Sequence, residues 1–180
     1  MTISIKPTAS GSTIEQDGST ILTVDGSGNI TPSNQLYPKV PSCHAYGNAD
    51  QSITTTTWTK IQLNDKDWDT TSDFDTTNYR YTPSVAGYYQ MNMCVRFTNS
   101  GSLQHAQVAI YKNGSLYRSF SNLRDIVSVS PQHLVGSGLV YLNGSTDYIE
   151  MYANLVMTSP VLDFADTHSR CWLEAHLVSV

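Results

Sequence analysis

Apolar and polar residues alternate along most of the chain after residue 40, and a period of two predicts β-strands with one buried face. The clearest strand runs from Tyr88 to Phe97. Polar residues occupy one side of it, and larger apolar residues occupy the other: Tyr89, Met91, Met93, Val95 and Phe97. No segment shows the periodicity of a long helix.

Turn residues separate these strands. Asn113-Gly114 and Asn143-Gly144 each lie between two alternating segments, and Asn-Gly is a strong signal for a two-residue hairpin turn. The last segment, Arg170 to Val180, alternates as well. Several strands joined by hairpins and polar turns predict an all-β sandwich or jelly roll.

The first forty residues have a different composition. They are rich in Gly, Ser and Thr, and Gly11 to Thr31 forms a near-repeat with Asp-Gly steps at Asp17-Gly18 and Asp25-Gly26. We predict an extended attachment arm over residues 1–40, a linker around Pro38-Lys39-Val40-Pro41, and a head over residues 41–180.

Each repeat of the arm contains too few apolar residues to offset the entropy of ordering it. The apolar residues assigned to the arm are Ile14, Ile21, Leu22, Val24 and Ile30. Copies of the arm would pair their edges and bury these residues, or each arm would lie in a groove of a larger surface and add strands to it.

Charge and cysteine content narrow the class of protein. The chain has 180 residues and a formal net charge of -5, with no Lys/Arg cluster, which argues against nucleic acid and anionic membranes as partners. The first ten residues predict no secretory signal, and no apolar run would span a bilayer. Three cysteines without metal-like spacing predict free thiols in a reducing cytoplasm, with Cys94 and Cys171 buried and inert.

One spacing pattern indicates a protein family and not only a fold class. It runs through eight positions from Leu63 to Met93. It resembles the signature of the C1q domain. Four positions match that signature outright: Asp69, Phe74, Gly87 and Tyr89. Four others replace residues that in the family are usually aromatic, and mostly Phe: Leu63, Tyr81, Met91 and Met93.

The resemblance covers roughly Cys43 to Val180. The segments "ITTTTWTKIQLN" and "RYTPSVAGYY" are also similar to C1q-like domains of bacteriophage structural proteins. The resemblance implies a ten-strand jelly roll that assembles as a homotrimer. It also suggests that the abundant tyrosines serve an intersubunit face.

This resemblance implies a structural protein of the virion, assembled in the host cytoplasm. The expected role is a trimeric capsid decoration (cement) protein, in which the arms bind the major capsid protein or other virion proteins and the head projects outward. The alternatives are a tail fibre tip that recognises a host-surface glycan or protein, and a bacterial C1q-like ligand-binding module. The short segment before the head favours the first.

The acidic segment from Asn64 to Asp75 is the strongest candidate for a metal site. Some C1q-like domains bind calcium, and carboxylates at alternate positions would converge on an ion: Asp65, Asp67 and Asp69. Thr70 and Thr76 occupy the positions where an EF-hand needs Gly and Glu, so that motif is absent. The alternative is a solvated acidic loop in which Asp69 supports the fold, and no cofactor is expected.

No catalytic motif is present. Gly136-Ser137-Gly138 is too short for a nucleophile elbow and predicts a kink at a strand entry, and the histidines lack paired spacing. We therefore expect no enzymatic activity. Trp58, Trp68 and Trp172 would line a carbohydrate site, or be buried in the core or in an interface.

Overall fold

The chain divides into two units. The computed structural model describes residues 2–9, 11–17, 19–32, 40–98, 102–126, 131–164 and 167–180. One unit is Met1–Pro38, called the arm, and the other is Lys39–Val180, called the head. Pro38 and Lys39 of the predicted linker lie outside the described residues. No helix in the described ranges is long and apolar enough to cross a membrane.

Four strands form the arm: β1 (Ile3–Thr8), β2 (Gly11–Gln16), β3 (Ser19–Asp25) and β4 (Ile30–Pro32). Each strand pairs antiparallel with the next in a single sheet. The sequence predicts strands that become ordered only against other copies or a host surface, whereas here they pair within one chain. Asp25-Gly26 contributes to this difference, because it begins the hydrogen-bonded turn between β3 and β4, whereas Gly18 of the other Asp-Gly step lies outside the described residues.

Asp25 illustrates how such a turn is held. Its carboxylate accepts hydrogen bonds from the backbone N–H groups of Ser27 and Asn29, both at 2.9 Å, and from the Asn29 side chain at 2.8 Å. The side-chain amide of Asn29 is the main reason that the pKa of Asp25 lies below its ordinary value. Gly28 adopts a φ of 83°, a conformation that favours glycine.

The described head contains thirteen strands and one short helix. The strands in its first half are β5 (Ser42–Tyr46), β6 (Gln51–Ser52), β7 (Thr59–Lys60), β8 (Asp65–Asp69), β9 (Phe74–Asp75), β10 (Arg80–Tyr81) and β11 (Ala86–Thr98). The second half contains β12 (Leu103–Lys112), β13 (Ser115–Ile126), β14 (Gln132–Asn143), β15 (Ile149–Val156), β16 (Val161–Leu162), helix α1 (Thr167–Arg170) and β17 (Trp172–Ser179). The described head thus has more strands than the expected ten, and five of the thirteen are only two residues long.

These strands form two facing sheets. The six-stranded sheet has the order β13-β12-β15-β10-β9, with β7 paired to β15. The seven-stranded sheet has the order β6-β16-β11-β17-β5-β8, with β14 paired to β11. Every pairing is antiparallel, so the predicted all-β sandwich is confirmed.

The core lies between the two sheets and follows the predicted alternation. Both Tyr89 and Phe97 of β11 are fully buried, as are Val108 of β12 and Met151 of β15. Tyr81 joins them from β10, and its ring meets that of Tyr89 edge to face with centroids 5.7 Å apart. Since side chains alternate along a strand, this packing leaves the other half of each strand facing outward.

The two predicted hairpins have different outcomes. Asn113 and Gly114 have φ angles of 53° and 76° and join the paired strands β12 and β13, which confirms the first hairpin. The second prediction is wrong, because β14 and β15 belong to different sheets. The Asn143 Oδ1 atom accepts hydrogen bonds from the backbone N–H groups of Ser145, Thr146 and Asp147, which holds a wider turn between the sheets.

The predicted kink at Ser137 is also wrong. Ser137 lies in the middle of β14, paired opposite Asn92 of β11. The Phe120 side chain of β13 occupies the inner space beside Gly136, so this glycine makes room for a large ring from the opposite sheet.

We expect Gly87→Ala to lower the free energy of unfolding by about 1–3 kcal/mol, because its Cβ would overlap the backbone carbonyl of Ser179. Gly138→Ala is the matched control. Its Cβ meets mainly the Arg118 guanidinium, which can move away, so the expected loss is below about 1 kcal/mol. Urea unfolding of both variants tests this, and equal losses would contradict the backbone explanation.

Candidate subunit interface

The outer face of the seven-stranded sheet combines side chains from β14, β11, β17, β5 and β8. Residues opposite one another in the register form rows across it. One row contains Tyr141 and Tyr88, and the next contains Leu139, Gln90 and His176. The third row runs across five strands and contains Ser137, Asn92, Glu174, His44 and Trp68. The fourth row contains Val135, Cys94, Trp172, Tyr46 and Asp65. We call this surface the aromatic face.

Large apolar side chains are exposed on the aromatic face. Tyr88 is 51% exposed and Tyr141 is 46% exposed, and their rings meet edge to face at 5.4 Å. Leu139 and Val135 of β14 are 46% and 61% exposed. The residues that β11 and β14 contribute to these rows are aromatic, aliphatic or polar and uncharged, which is the composition of an interface core.

Polar groups at the centre of the aromatic face bond to one another. The Ser137 hydroxyl donates to Asn92 Oδ1 at 2.9 Å and accepts from the Gln90 side-chain amide at 2.7 Å. This triplet was missed by the sequence reasoning, because only the β11–β14 register brings the three residues together. Its hydrogen bonds lower the cost of covering these groups with another surface.

A shallow depression of about 340 Å³ lies beside this triplet. Val135, Gly136 and Trp172 line its apolar part, and Asn92 and Ser137 line its polar part. A protruding side chain of a partner fits such a depression.

Histidine and tryptophan side chains form the other end of the aromatic face. His44 stacks on Trp68 with ring centroids 5.0 Å apart and lies 5.8 Å from the ring of Trp172. The His44 Nδ1 atom is 2.9 Å from a carboxylate oxygen of Asp67. The imidazole is thus held between aromatic rings and a carboxylate at the edge of the sheet.

The three carboxylates proposed for calcium do not converge. A β-bulge at Asp67 interrupts the pairing of β8 with β5, so that Asp69 pairs with buried Cys43 while Asp65 pairs with Tyr46 on the aromatic face. Among the residues that the structure describes, no group of three potential metal ligands is found. The expected alternation fails because the bulge changes the face to which the following residues point.

Asp69 instead holds a loop of the head. Its carboxylate binds the Lys66 Nζ atom at 2.8 Å and accepts hydrogen bonds from the backbone N–H groups of Asp73 and Phe74, both at 3.0 Å. Burial acts to raise the pKa of Asp69, but these hydrogen bonds outweigh it and the pKa lies below its ordinary value. The interactions connect β8 to β9.

Most residues of the C1q-like spacing lie in the core. Those almost fully buried between the sheets are Leu63, Phe74, Tyr81, Tyr89, Met91 and Met93. Gly87 contacts the last strand, β17, so closely that a side chain would not fit. The spacing therefore records packing positions and forms no binding site.

The arm residues singled out in the sequence all lie in the arm sheet. Ile14 is in β2, Ile30 is in β4, and β3 contains Ile21, Leu22 and Val24. Ile30 is 66% exposed, and the other four are half-buried.

The tryptophans do not meet at one site. Trp68 and Trp172 both contact His44 on the aromatic face, whereas Trp58 lies 6.1 Å from Tyr111 of the six-stranded sheet. The structure thus does not bring the three tryptophans together into the carbohydrate site that they suggested.

The cysteines form no reactive site. All three, Cys43, Cys94 and Cys171, are described, and each is a buried free thiol. Burial raises the pKa of Cys171 to about 12, so its thiol stays protonated at neutral pH.

Comparisons with known proteins agree with this architecture. No protein-family model matches the chain, and no curated protein matches its sequence. The globular domain of zebrafish complement 1qA protein has a TM-score of 0.55 at 14% identity and covers 77% of this chain and 97% of its own. Eiger TNF from S. frugiperda has a TM-score of 0.61 at 8% identity, and the match covers 78% of this chain and 93% of its own. Murine APRIL has a TM-score of 0.56 at 13% identity, and the match covers 77% of this chain and 99% of its own. The head therefore has the C1q/TNF-type jelly-roll fold that the sequence predicted.

We expect Asp69→Asn to lower the free energy of unfolding at neutral pH by about 2–4 kcal/mol, because it removes a buried, hydrogen-bonded charge. A lowered folded-state pKa stabilises the fold above the unfolded pKa of about 3.9, and this contribution is lost as pH falls through the folded value. The variant should therefore lose less stability on acidification than the parent.

Asp67→Asn, in the same strand, is the control. Asp67 is partly exposed and pairs only at the edge of the sheet, so a loss below about 1 kcal/mol is expected. Denaturant unfolding between neutral pH and pH of about 2 measures both effects. Similar losses for the two variants would show that Asp69 has no special role.

Proposed function

We propose that the protein is a homotrimeric structural protein of a bacteriophage virion, whose head projects from the particle and whose arm attaches it. The proposed site of attachment is the capsid lattice, where the protein acts as a decoration protein. The observation that carries the proposal is the aromatic face, a broad apolar surface on a head whose core is already complete.

The aromatic face supports self-association. Its exposed Tyr88, Leu139 and Tyr141 form a continuous strip on β11 and β14. Its central polar triplet is joined by internal hydrogen bonds, which lowers the number of partner atoms that another chain has to supply. A closed ring of identical heads would bury this surface in every copy, and the C1q resemblance implies three copies.

The virion role rests on the two segments similar to C1q-like domains of bacteriophage structural proteins and on the arm. The arm is a separate unit with exposed apolar residues, among them Ile3 at 59% and Ile5 at 70%. Such a unit suits attachment to a larger assembly. A trimer that binds only the assembled lattice stabilises that lattice by linkage.

A tail fibre tip is the second candidate, and an exposed strip of β13 favours it. Leu116 is 52% exposed and Tyr117 is 44% exposed, and the Arg118 guanidinium lies 5.6 Å from the Tyr117 ring centroid. This strip is outside the aromatic face, so a trimer would leave it accessible for host recognition. An image of the intact particle that locates the protein on the shell or on the tail distinguishes the two roles.

We expect Leu139→Glu to convert the trimer to single chains, because it introduces an unpaired carboxylate into the apolar strip of the proposed interface. Leu116→Glu is the matched control, since Leu116 is equally exposed but lies on β13 outside the aromatic face. Sedimentation equilibrium gives the mass of each. A Leu139→Glu chain that remains trimeric at the concentrations where the parent does would contradict the proposed interface.

Removal of residues 1–38 should leave a folded, trimeric head that no longer binds particles, because the arm is a separate unit. Co-sedimentation of the truncated and full-length chains with particles stripped of this protein measures attachment, and circular dichroism checks the fold. Undiminished co-sedimentation of the truncated chain would show that the head, not the arm, makes the attachment.

A further inference from the structure

One face of the arm sheet is apolar and partly exposed. The register aligns Ile5, Ile14 and Leu22 in a row across β1, β2 and β3, and Val24 is paired with Ile30 in the next row. Residues opposite one another in an antiparallel ladder point to the same side, so these five form one surface. We call it the apolar arm face. Ile21 is the extra residue of a β-bulge in β3.

The opposite face of the arm is polar. Thr13, Thr23 and Thr31 form its central row. Lys6 and Glu15 lie on this side as well and form an ion pair within the chain. The apolar arm face therefore carries no charge among the paired residues described, and two copies of it would meet without charge repulsion.

The edges of the arm sheet disfavour the addition of further strands. The edge strands are β1, which contains Pro7, and β4, which has three residues and ends at Pro32. Proline has no backbone N–H to donate, and natural sheets use prolines and short strands to block edge pairing. The arm is thus better suited to packing through its apolar face than to strand addition.

We propose that the arms of three copies pack their apolar faces against one another and form a three-sheet prism. This inference rests on the proposed homotrimer but not on the location in the virion. A single sheet with one apolar face requires a second layer to bury that face. Three such sheets around a three-fold axis give a closed arrangement in which Ile14 and Leu22, on the two middle strands, lie nearest the axis.

Other copies of this chain are the favoured partner because of where the arm joins the head. The head begins at β5, a strand of the sheet that bears the aromatic face. The Val40 carbonyl accepts a hydrogen bond from the Thr70 hydroxyl, and the Pro41 carbonyl accepts one from the Leu177 N–H. A trimer formed through the aromatic face would therefore bring three arm attachment points together.

This tethering raises the effective concentration of the arms. Segments joined by a short linker meet at an effective concentration in the millimolar range, so a weak apolar contact suffices. The three arms would then act as one stalk, which would bind the particle through its outer surface and not through the apolar arm faces, and the trimer would be held by two separate interfaces. Separate arms that each clamp a neighbouring capsomer are the alternative.

Disulfide formation in the full-length protein tests the prism. Ile14→Cys introduces a thiol into the centre of the apolar arm face, and Thr13→Cys introduces one next to it on the polar face. The three native thiols are buried, and the unsubstituted chain controls for their reaction. Under a mild oxidant the Ile14→Cys chain should form covalent dimers ~10-fold or more faster than the Thr13→Cys chain. Val24→Cys and Thr23→Cys repeat the comparison in β3 in case the first pair disturbs folding.

The oligomer mass is measured on the same samples. Rapid coupling at Ile14 or Val24 in a protein of three-chain mass supports the prism. A three-chain mass with equal or no coupling at the two faces overturns the prism and leaves the homotrimer intact. A one-chain mass overturns both.

Discussion

Each sheet of the head has two faces, and the sandwich buries only one of them. In β11 the odd-numbered residues from Tyr89 to Phe97 pack against the six-stranded sheet, which fixes the direction of every even-numbered residue. The tyrosine at position 88 and the polar residues at 90 and 92 must then face outward. The packing of the core thus determines the composition of the aromatic face, and a change of one residue in register would exchange the two.

Much of the fold follows from alternation and turn chemistry. The buried row of β11 and the Asn113-Gly114 hairpin are both confirmed, because local residue pattern decides strand faces and tight turns. The spacing from Leu63 to Met93 also predicted the jelly roll correctly, since its members are packing positions. A spacing pattern of this kind specifies which residues are buried in the core.

Features that depend on partners distant in sequence were not predictable. Asn143-Gly144 has the residues of a hairpin turn, but β15 finds its partner in β12, so the chain crosses to the other sheet. The bulge at Asp67 depends on the pairing of β8 with β5, and it separates the three carboxylates that appear aligned in the sequence. The Gln90, Asn92 and Ser137 triplet likewise requires the β11–β14 register.

The strands of the arm follow the same alternation as those of the head, but they form one sheet and not two. Its strands alternate apolar and polar residues, and its hydrogen-bonded turns let a short segment pair within itself. In the head, a second sheet from the same chain covers the apolar face of the first. The arm has only one sheet and leaves Ile5 and Ile30 exposed. Because both units present an apolar face that their own chain does not cover, association at the head and association at the arm would reinforce each other, and each would raise the effective concentration for the other.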